Sequence, residues 1–172
     1  MKPLIQSLIL KRFRSVPTEF VEFENPTFLV GRNGSGKSNF VDAFSFLAEV
    51  MASPLQAVFD NRGGISAVRN RTSGKSYPPN LGLAVKFGGL NGEILGGRYG
   101  FEVRALPNYG FEVVREQCLV RSSATQHFWF DRKQKTFTSN VKGLDPSLDP
   151  ASLGLPVVGG HARFAPVLRT LS

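Results

Sequence analysis

Gly31-Arg32-Asn33-Gly34-Ser35-Gly36-Lys37-Ser38 fits the pattern G-x-x-x-x-G-K-[ST] without a mismatch. Glycines at these places let the backbone wrap an anion with successive N–H groups turned inward, and the helix that follows presents its positive end. In such a loop the lysine, Lys37, reaches the β- and γ-phosphates of a nucleotide and the hydroxyl after it, Ser38, ligates Mg²⁺. The pattern needs a strand before it and a helix after it. Upstream, Pro26-Thr27-Phe28-Leu29-Val30 reads as a short buried strand; downstream, residues 39–51 carry helical periodicity.

Working outward, that helix places Phe40, Phe44, Leu47 and Met51 on one face, with Ala43 and Val50 filling in, and Ser38, Asp42, Ser45 and Glu49 on the other. Ser53-Pro54 ends it, because the residue before proline avoids the α region. Residues 55–60 form a short second helix stopped by Gly63-Gly64, and residues 65–69 a further turn. Before the loop, residues 4–10 and 20–24 read as a hairpin joined by a turn at Ser15-Val16-Pro17-Thr18. Between these strands lies the basic and aromatic cluster Lys11-Arg12-Phe13-Arg14-Ser15.

After residue 68 the texture changes. Residues 69–80 are polar, basic and rich in turn formers, which predicts a loop. Residues 81–87, 93–103, 111–120, 128–131 and 136–139 are strand-like runs split by Gly88-Gly89, Asn91-Gly92 and Asn108-Tyr109-Gly110. Strands so closely spaced leave no room for crossover helices, so an antiparallel meander is expected. Residues 143–160 hold three prolines and read as loop, with Asp145 and Asp149, each followed by proline, as loop aspartates. Phe164, Val167, Leu168 and Leu171 return to helical spacing, and this apolar face at the end of the sequence suggests that more protein follows.

The 172 residues are 41% hydrophobic and 11% aromatic, with 15 phenylalanines, which describes a globular rather than a disordered chain. Cys118 is the single cysteine, so an internal disulfide is excluded, and with only His127 and His161 beside it the sequence offers no cluster of metal ligands. The cysteine usage points to a reducing, cytoplasmic setting. The apolar run at residues 3–10 is short and ends in Lys11-Arg12 without a small-residue cleavage site, which is not a signal peptide. No stretch approaches the ~18 apolar residues of a membrane span. The formal charge is +8; residues 1–50 hold six Lys/Arg and five Asp/Glu, so an excess of seven positive charges lies beyond them. That excess makes nucleic acid a candidate partner, alongside a solvated basic face or an acidic partner segment. Arg62, Arg69, Arg71 and Lys75 are the cations singled out for DNA.

The block from Phe28 to Ala43, and above all Lys37-Ser38-Asn39-Phe40-Val41-Asp42-Ala43, resembles the N-terminal nucleotide-binding lobe of SMC/RecF-type ABC ATPases. Phe13-Arg14-Ser15 is similar to that group's Phe-Arg/Lys-Ser element, while Phe59-Asp60-Asn61-Arg62-Gly63-Gly64, Tyr99-Gly100-Phe101 and Arg115-Glu116-Gln117 resemble RecF-like ATPases related to the OLD family and to phage-defence ATPases. The resemblance implies an α/β P-loop NTPase fold of mixed α+β character: an ABC-type lobe with a mixed sheet around the Walker A helix, plus the antiparallel meander. It implies one partial ATPase domain, with a P-loop part at 1–75, an antiparallel arm at 76–142, and a loop and the start of a helical region at 143–172. It further implies that Asn33, Gly34, Ser35, Gly36, Lys37, Ser38 and Asn39 wrap the phosphates of ATP, that Ser38 holds Mg²⁺, that Arg14 lies beside the nucleotide, and that Asp42 pairs structurally. Gln117 is the one candidate for the group's Q-loop glutamine.

The sequence departs from the group in two respects. It contains no run of four apolar residues followed by Asp-Glu, the Walker B element, and no Leu-Ser-x-Gly signature. On the resemblance, a missing C-terminal half supplies both, and two subunits sandwich ATP as a homodimer. The chain alone is then expected to bind nucleotide weakly and hydrolyse it hardly at all. The implied function is ATP hydrolysis driving a DNA-engaging or nuclease-coupled assembly, in DNA maintenance or phage defence. The alternative is a non-hydrolytic nucleotide-sensing module that gates a partner effector. A small kinase or GTPase fits less well, since those folds continue with βα units rather than a meander.

Overall fold

The computed structural model describes residues 4–70, 80–89, 94–108 and 110–172. Seven strands form one sheet: β1 (Ile5–Phe13), β2 (Val16–Glu22), β3 (Asn80–Phe87), β4 (Gly96–Ala105), β5 (Phe111–Arg121), β6 (His127–Lys133) and β7 (Thr136–Ser139), in the order β2-β1-β3-β4-β5-β6-β7. Every pairing is antiparallel. The helices are α1 (Lys37–Ala52), α2 (Leu55–Asn61), α3 (Ile65–Val68), α4 (Gly154–Val158) and α5 (Ala165–Leu171).

Alternation along the strands sends one set of side chains to the helices and the other to the open face. Leu8, Leu10, Leu83, Val85, Tyr99, Phe101, Cys118 and Phe130 are buried on the helix side. Ring contacts fix the helical layer on it: Phe46 of α1 lies 5.5 Å from Phe13 and 6.3 Å from Phe101, Phe59 of α2 lies 4.8 Å from Phe111, and Phe164, just before α5, lies 5.4 Å from Phe130. The phenylalanine-rich composition is thus spent on the seam between the two layers.

The meander follows the predicted runs closely, and β1 joins it to the hairpin by pairing with β3 on its other edge. Asn91-Gly92, Tyr109 and most of the 69–80 loop lie outside the described residues. Several expectations are corrected. Residues 26–30 are not a strand, and the sheet is antiparallel throughout the described residues rather than mixed. Strand propensity is realised only against a neighbouring backbone, and here Phe28 and Val30 stand 79% and 92% exposed. The hairpin turns at Arg14-Ser15, with Phe13 opposite Val16, rather than at 15–18, and Arg14 takes a positive φ of 48°. The buried face of α1 is rotated towards Phe46, which joins Ala43, Leu47, Val50 and Met51 inside, while Phe40 and Phe44 are only partly covered. Within 143–160, α4 forms despite Pro156, which sits in the first helical turn where its missing N–H costs nothing. Asp145 and Asp149 are exposed loop residues, as expected. The apolar face of α5 is covered by the chain's own core, with Val167 and Leu171 buried.

Candidate functional site

The site begins where the hairpin meets α1. The tip of β1 and β2 is held from outside: the Arg14 amide donates to the Val68 carbonyl at 2.7 Å, the Asn70 amide to the Arg12 carbonyl at 2.7 Å, and the Asn70 side chain to the Arg14 carbonyl at 2.7 Å. From that anchored tip three consecutive residues grip α1. Phe13, fully buried, packs on Phe46; the Arg14 guanidinium donates to the Asp42 carboxylate; and the Asn39 side-chain amide donates to the Ser15 hydroxyl at 2.5 Å. The Phe-Arg-Ser element thereby sits at the N-terminal half of α1, and Asp42 pairs structurally.

The glycine-rich stretch curls tightly at the start of the same helix. Gly34 and Gly36 have φ of 82° and 93°, a left-handed conformation that side chains disfavour, so glycine is required at both. A Cβ on Gly31 would lie 2.8 Å from the Ser35 hydroxyl oxygen, so the loop is closed on itself there as well. Lys37 folds back across it: its ammonium donates to the Gly31 carbonyl at 2.6 Å, the Arg32 carbonyl at 2.8 Å and the Ser35 hydroxyl at 3.4 Å. Gly36 caps α1, and the first turn carries neither a side-chain cap nor an acidic residue, so no fixed negative charge opposes an anion there. Asn33 and Ser38 are exposed, and Asn39 is half-buried by its contact with Ser15.

A second cluster lies along α1. Arg62, just past α2, makes a two-pronged bond to Glu49, Nε to Oε2 and Nη2 to Oε1, both at 2.7 Å, while its Nη1 reaches Asp42 Oδ1 at 2.9 Å. Its guanidinium also stands 5.3 Å from the centre of the Phe46 ring. The hydrogen bonds from Arg62 hold the Glu49 carboxyl below its ordinary range, against a smaller opposing effect of burial. Asp42 therefore joins two arginines, and the loop's helix is tied both to the hairpin tip and to the end of α2. Sequence reading missed Arg62 in this role, although Asp42 and Glu49, two turns apart on one helix side, signal a cation between them. Arg62 is not an available DNA contact, being 10% exposed and fully engaged, and Arg71 and Lys75 lie outside the described residues. Gln117 points to the sheet face away from α1, between the buried Glu116 and Cys118, so it is not brought to the loop.

The Ser38 hydroxyl stands exposed at the start of α1, and the described residues contain no group of three His, Cys, Asp or Glu side chains that could hold a metal. That suits Mg²⁺, which keeps several waters and takes its remaining ligands from substrate phosphates rather than from a protein cage. Among the described residues no helix is long and apolar enough to cross a membrane.

No curated protein matches the chain. A solved structure described as "Structural biochemistry of ATP-driven dimerization and DNA stimulated activation of SMC ATPases" is similar over 64% of this chain and 68% of that one, at 25% identity and a TM-score of 0.48. The family model described as "AAA domain, putative AbiEii toxin, Type IV TA system" matches residues 27–147, a span that takes in the glycine-rich loop, α1 to α3 and the strands β3 to β7. The chain belongs to this family of AAA-domain ATPases.

Proposed function

We propose that the chain is an ATP-binding lobe of ABC type, a single partial ATPase domain whose P-loop part (1–75), antiparallel part (76–142) and C-terminal part (143–172) work on one nucleotide. The observation that carries this reading is Lys37 folded over the carbonyls of Gly31 and Arg32 at the start of a 16-residue helix, with glycines at the two left-handed positions. In the proposal, the amides of Asn33 to Ser38 receive the phosphates and the Lys37 ammonium exchanges its carbonyl partners for phosphate oxygens. Asn39 holds the first turn against Ser15, and Arg14, oriented by Asp42, lies alongside. Ser38 would hold Mg²⁺, which neutralises charge on the β- and γ-phosphates and fixes their orientation.

Phosphoryl transfer to water depends on positioning and charge neutralisation, and this chain's residues supply the first part of both. The Walker B carboxylates and the signature loop are proposed to come from elsewhere, with a second subunit closing over ATP. Opening and closing of that pair would drive a cytoplasmic, DNA-engaging or nuclease-coupled assembly of the kind used in DNA maintenance or phage defence.

The test is nucleotide binding by the chain, monitored by titration of a fluorescent ATP analogue with and without Mg²⁺. Lys37→Ala is expected to weaken binding by about tenfold or more, in line with removal of a charge-assisted hydrogen bond of about 1.5–3 kcal/mol. Equal binding by wild type and Lys37→Ala would remove the loop from the mechanism. In the complete assembly the same variant is expected to stop turnover; tight binding without hydrolysis there would favour the sensing module instead.

A further inference from the structure

The sheet has a second face that no described helix covers. Across it, cations and neutral residues fall in rows, because residues directly opposite on neighbouring strands share a face. One row runs Glu22, Ser7, Lys86, Arg98, Leu119, Trp129 over β2, β1, β3, β4, β5 and β6, with Glu22 two strands from Lys86. Lys86 and Arg98 are thus directly opposed, about 4.8 Å apart at the backbone, with Arg121 two residues beyond Leu119 on β5. Like charges so placed repel and cost stability. Elsewhere on this face three cations meet acids: Lys11 binds Glu102 at 2.9 Å, Arg104 binds Glu112, and Arg115 lies 3.9 Å from Asp131.

Lys86, Arg98 and Arg121 are exposed and have no ion pair among the described residues, and they line one depression of about 530 Å³ with Ser7, Ile9, Ala84, Gly97 and Leu119. Among the described residues no carboxylate lines it. A neighbouring depression shares Arg98, Ile9 and Ala84 and is floored by Gly82, Ala84 and Gly100; a Cβ on Gly100 would meet that of Ala84 at 2.6 Å. Small residues make a trough, three cations without an ion pair among the described residues stand along one side of it, and further along their row Leu119 faces Trp129.

We propose that this open face is a binding site for single-stranded nucleic acid, with backbone phosphates on Lys86, Arg98 and Arg121 and a base stacked on Trp129. The three cations supply an anion site that has no counter-charge among the described residues. The aromatic beside them distinguishes the ligand: a single strand offers base faces for stacking, whereas a duplex keeps them inside its own stack. The assignment rests on the nucleic-acid part of the proposed function and is independent of the loop at Lys37.

Trp129 is the chain's single tryptophan, so its emission reports on this face alone. The experiment titrates the full chain, without nucleotide, with a labelled oligothymidylate, reading label anisotropy and tryptophan emission together. Expected are a rise in anisotropy with quenching of Trp129, weaker response to a duplex of equal length, and none to polyglutamate. Lys86→Glu with Arg98→Glu is expected to weaken binding by at least about tenfold and to flatten the dependence of log affinity on log salt by about 0.7 for each phosphate no longer neutralised. Lys86→Gln with Arg98→Gln, which adds no new charge, gives the same direction if the reversal disturbs folding. Binding with unchanged emission and no weakening in these variants would keep a nucleic-acid partner but overturn this site. Equal binding of polyglutamate, or no binding at all, would overturn the assignment outright.

Discussion

Two of the arginine–carboxylate clusters among the described residues are built to opposite plans. Arg62 with Asp42 and Glu49 lies at the rim of α1, where water reaches Glu49 and every charge has a charge opposite it. Arg132 and Glu116 are fully buried, stand 3.9 Å apart, and are satisfied chiefly by the backbone. Glu116 accepts from the amides of Gly154 at 2.5 Å and Leu155 at 2.8 Å and from the Tyr99 hydroxyl at 2.9 Å; Arg132 donates to the carbonyls of Gln134 and Asp149, each at 2.8 Å, and to that of Ser152. The outer cluster ties helix to helix. The inner one staples the segment of residues 149–155 under the sheet, which sets α4 and α5 against α1.

The contrast teaches that the same side chains carry opposite energetic signs according to depth. A rim pair gains a little and tolerates loss, whereas a buried charge is costly unless each of its bonds is kept.

Arg132→Ala should break the comparison most visibly. It strands three carbonyls and leaves Glu116 without a cation, for an expected loss of about 3–5 kcal/mol in urea unfolding; a loss under about 1 kcal/mol would mean that the inner cluster is no staple. Arg62→Ala removes the fork to Glu49, the bond to Asp42 and the cover over Phe46, with an expected loss of about 1–3 kcal/mol. If it cost as much as Arg132→Ala, depth would not be the deciding variable.

The smallest effect is the most diagnostic. Glu49 is held below its ordinary value near 4.5, so the stability it contributes is present above that value and is lost as pH falls through its folded value. Glu116 is pushed above 4.5, chiefly by burial, so the native state binds its proton more tightly, and its contribution declines as pH rises from 4.5 towards the folded value. Wild type should therefore lose its advantage over Arg62→Ala on acidification and improve relative to Glu116→Gln. Paired unfolding curves across about pH 2.5 to 7 check this, and slopes of one sign for both pairs would dissolve the distinction.

The two clusters also differ in how far they can be read in the amino-acid order. Asp42 and Glu49 lie on one helix, and the Phe13-Arg14-Ser15 cluster is local, so much of the candidate site was legible from residues 11–49. The antiparallel runs were legible too, because glycine and asparagine mark their ends. Phe46 was not, since the helical period allows the buried arc to be centred one residue over and only the position of Phe13 and Phe101 decides. Glu116 was hidden for a sharper reason. A bulge between Glu102 and Val103 of β4 leaves Val114 as an extra residue on β5, so the inward positions pass from Phe111 and Val113 to Glu116 and Cys118. Simple alternation puts Glu116 outside. Residues 26–30 show the converse, a run with the content of a strand and no described backbone to pair with.

The join of β1 to β3, with Ile9 opposite Ala84, has a bearing on which length changes the chain can absorb. Everything from residue 14 to 79 is a tethered excursion whose two ends are fixed side by side. Lengthening a tether costs entropy only logarithmically, about 0.6 kcal/mol per doubling where the added residues are flexible. One residue added inside either joined strand would instead turn its outward side chains inward. Room for insertion is therefore concentrated in the connections of this excursion, between the elements that hold the glycine-rich loop, and is absent from the strands at its foot.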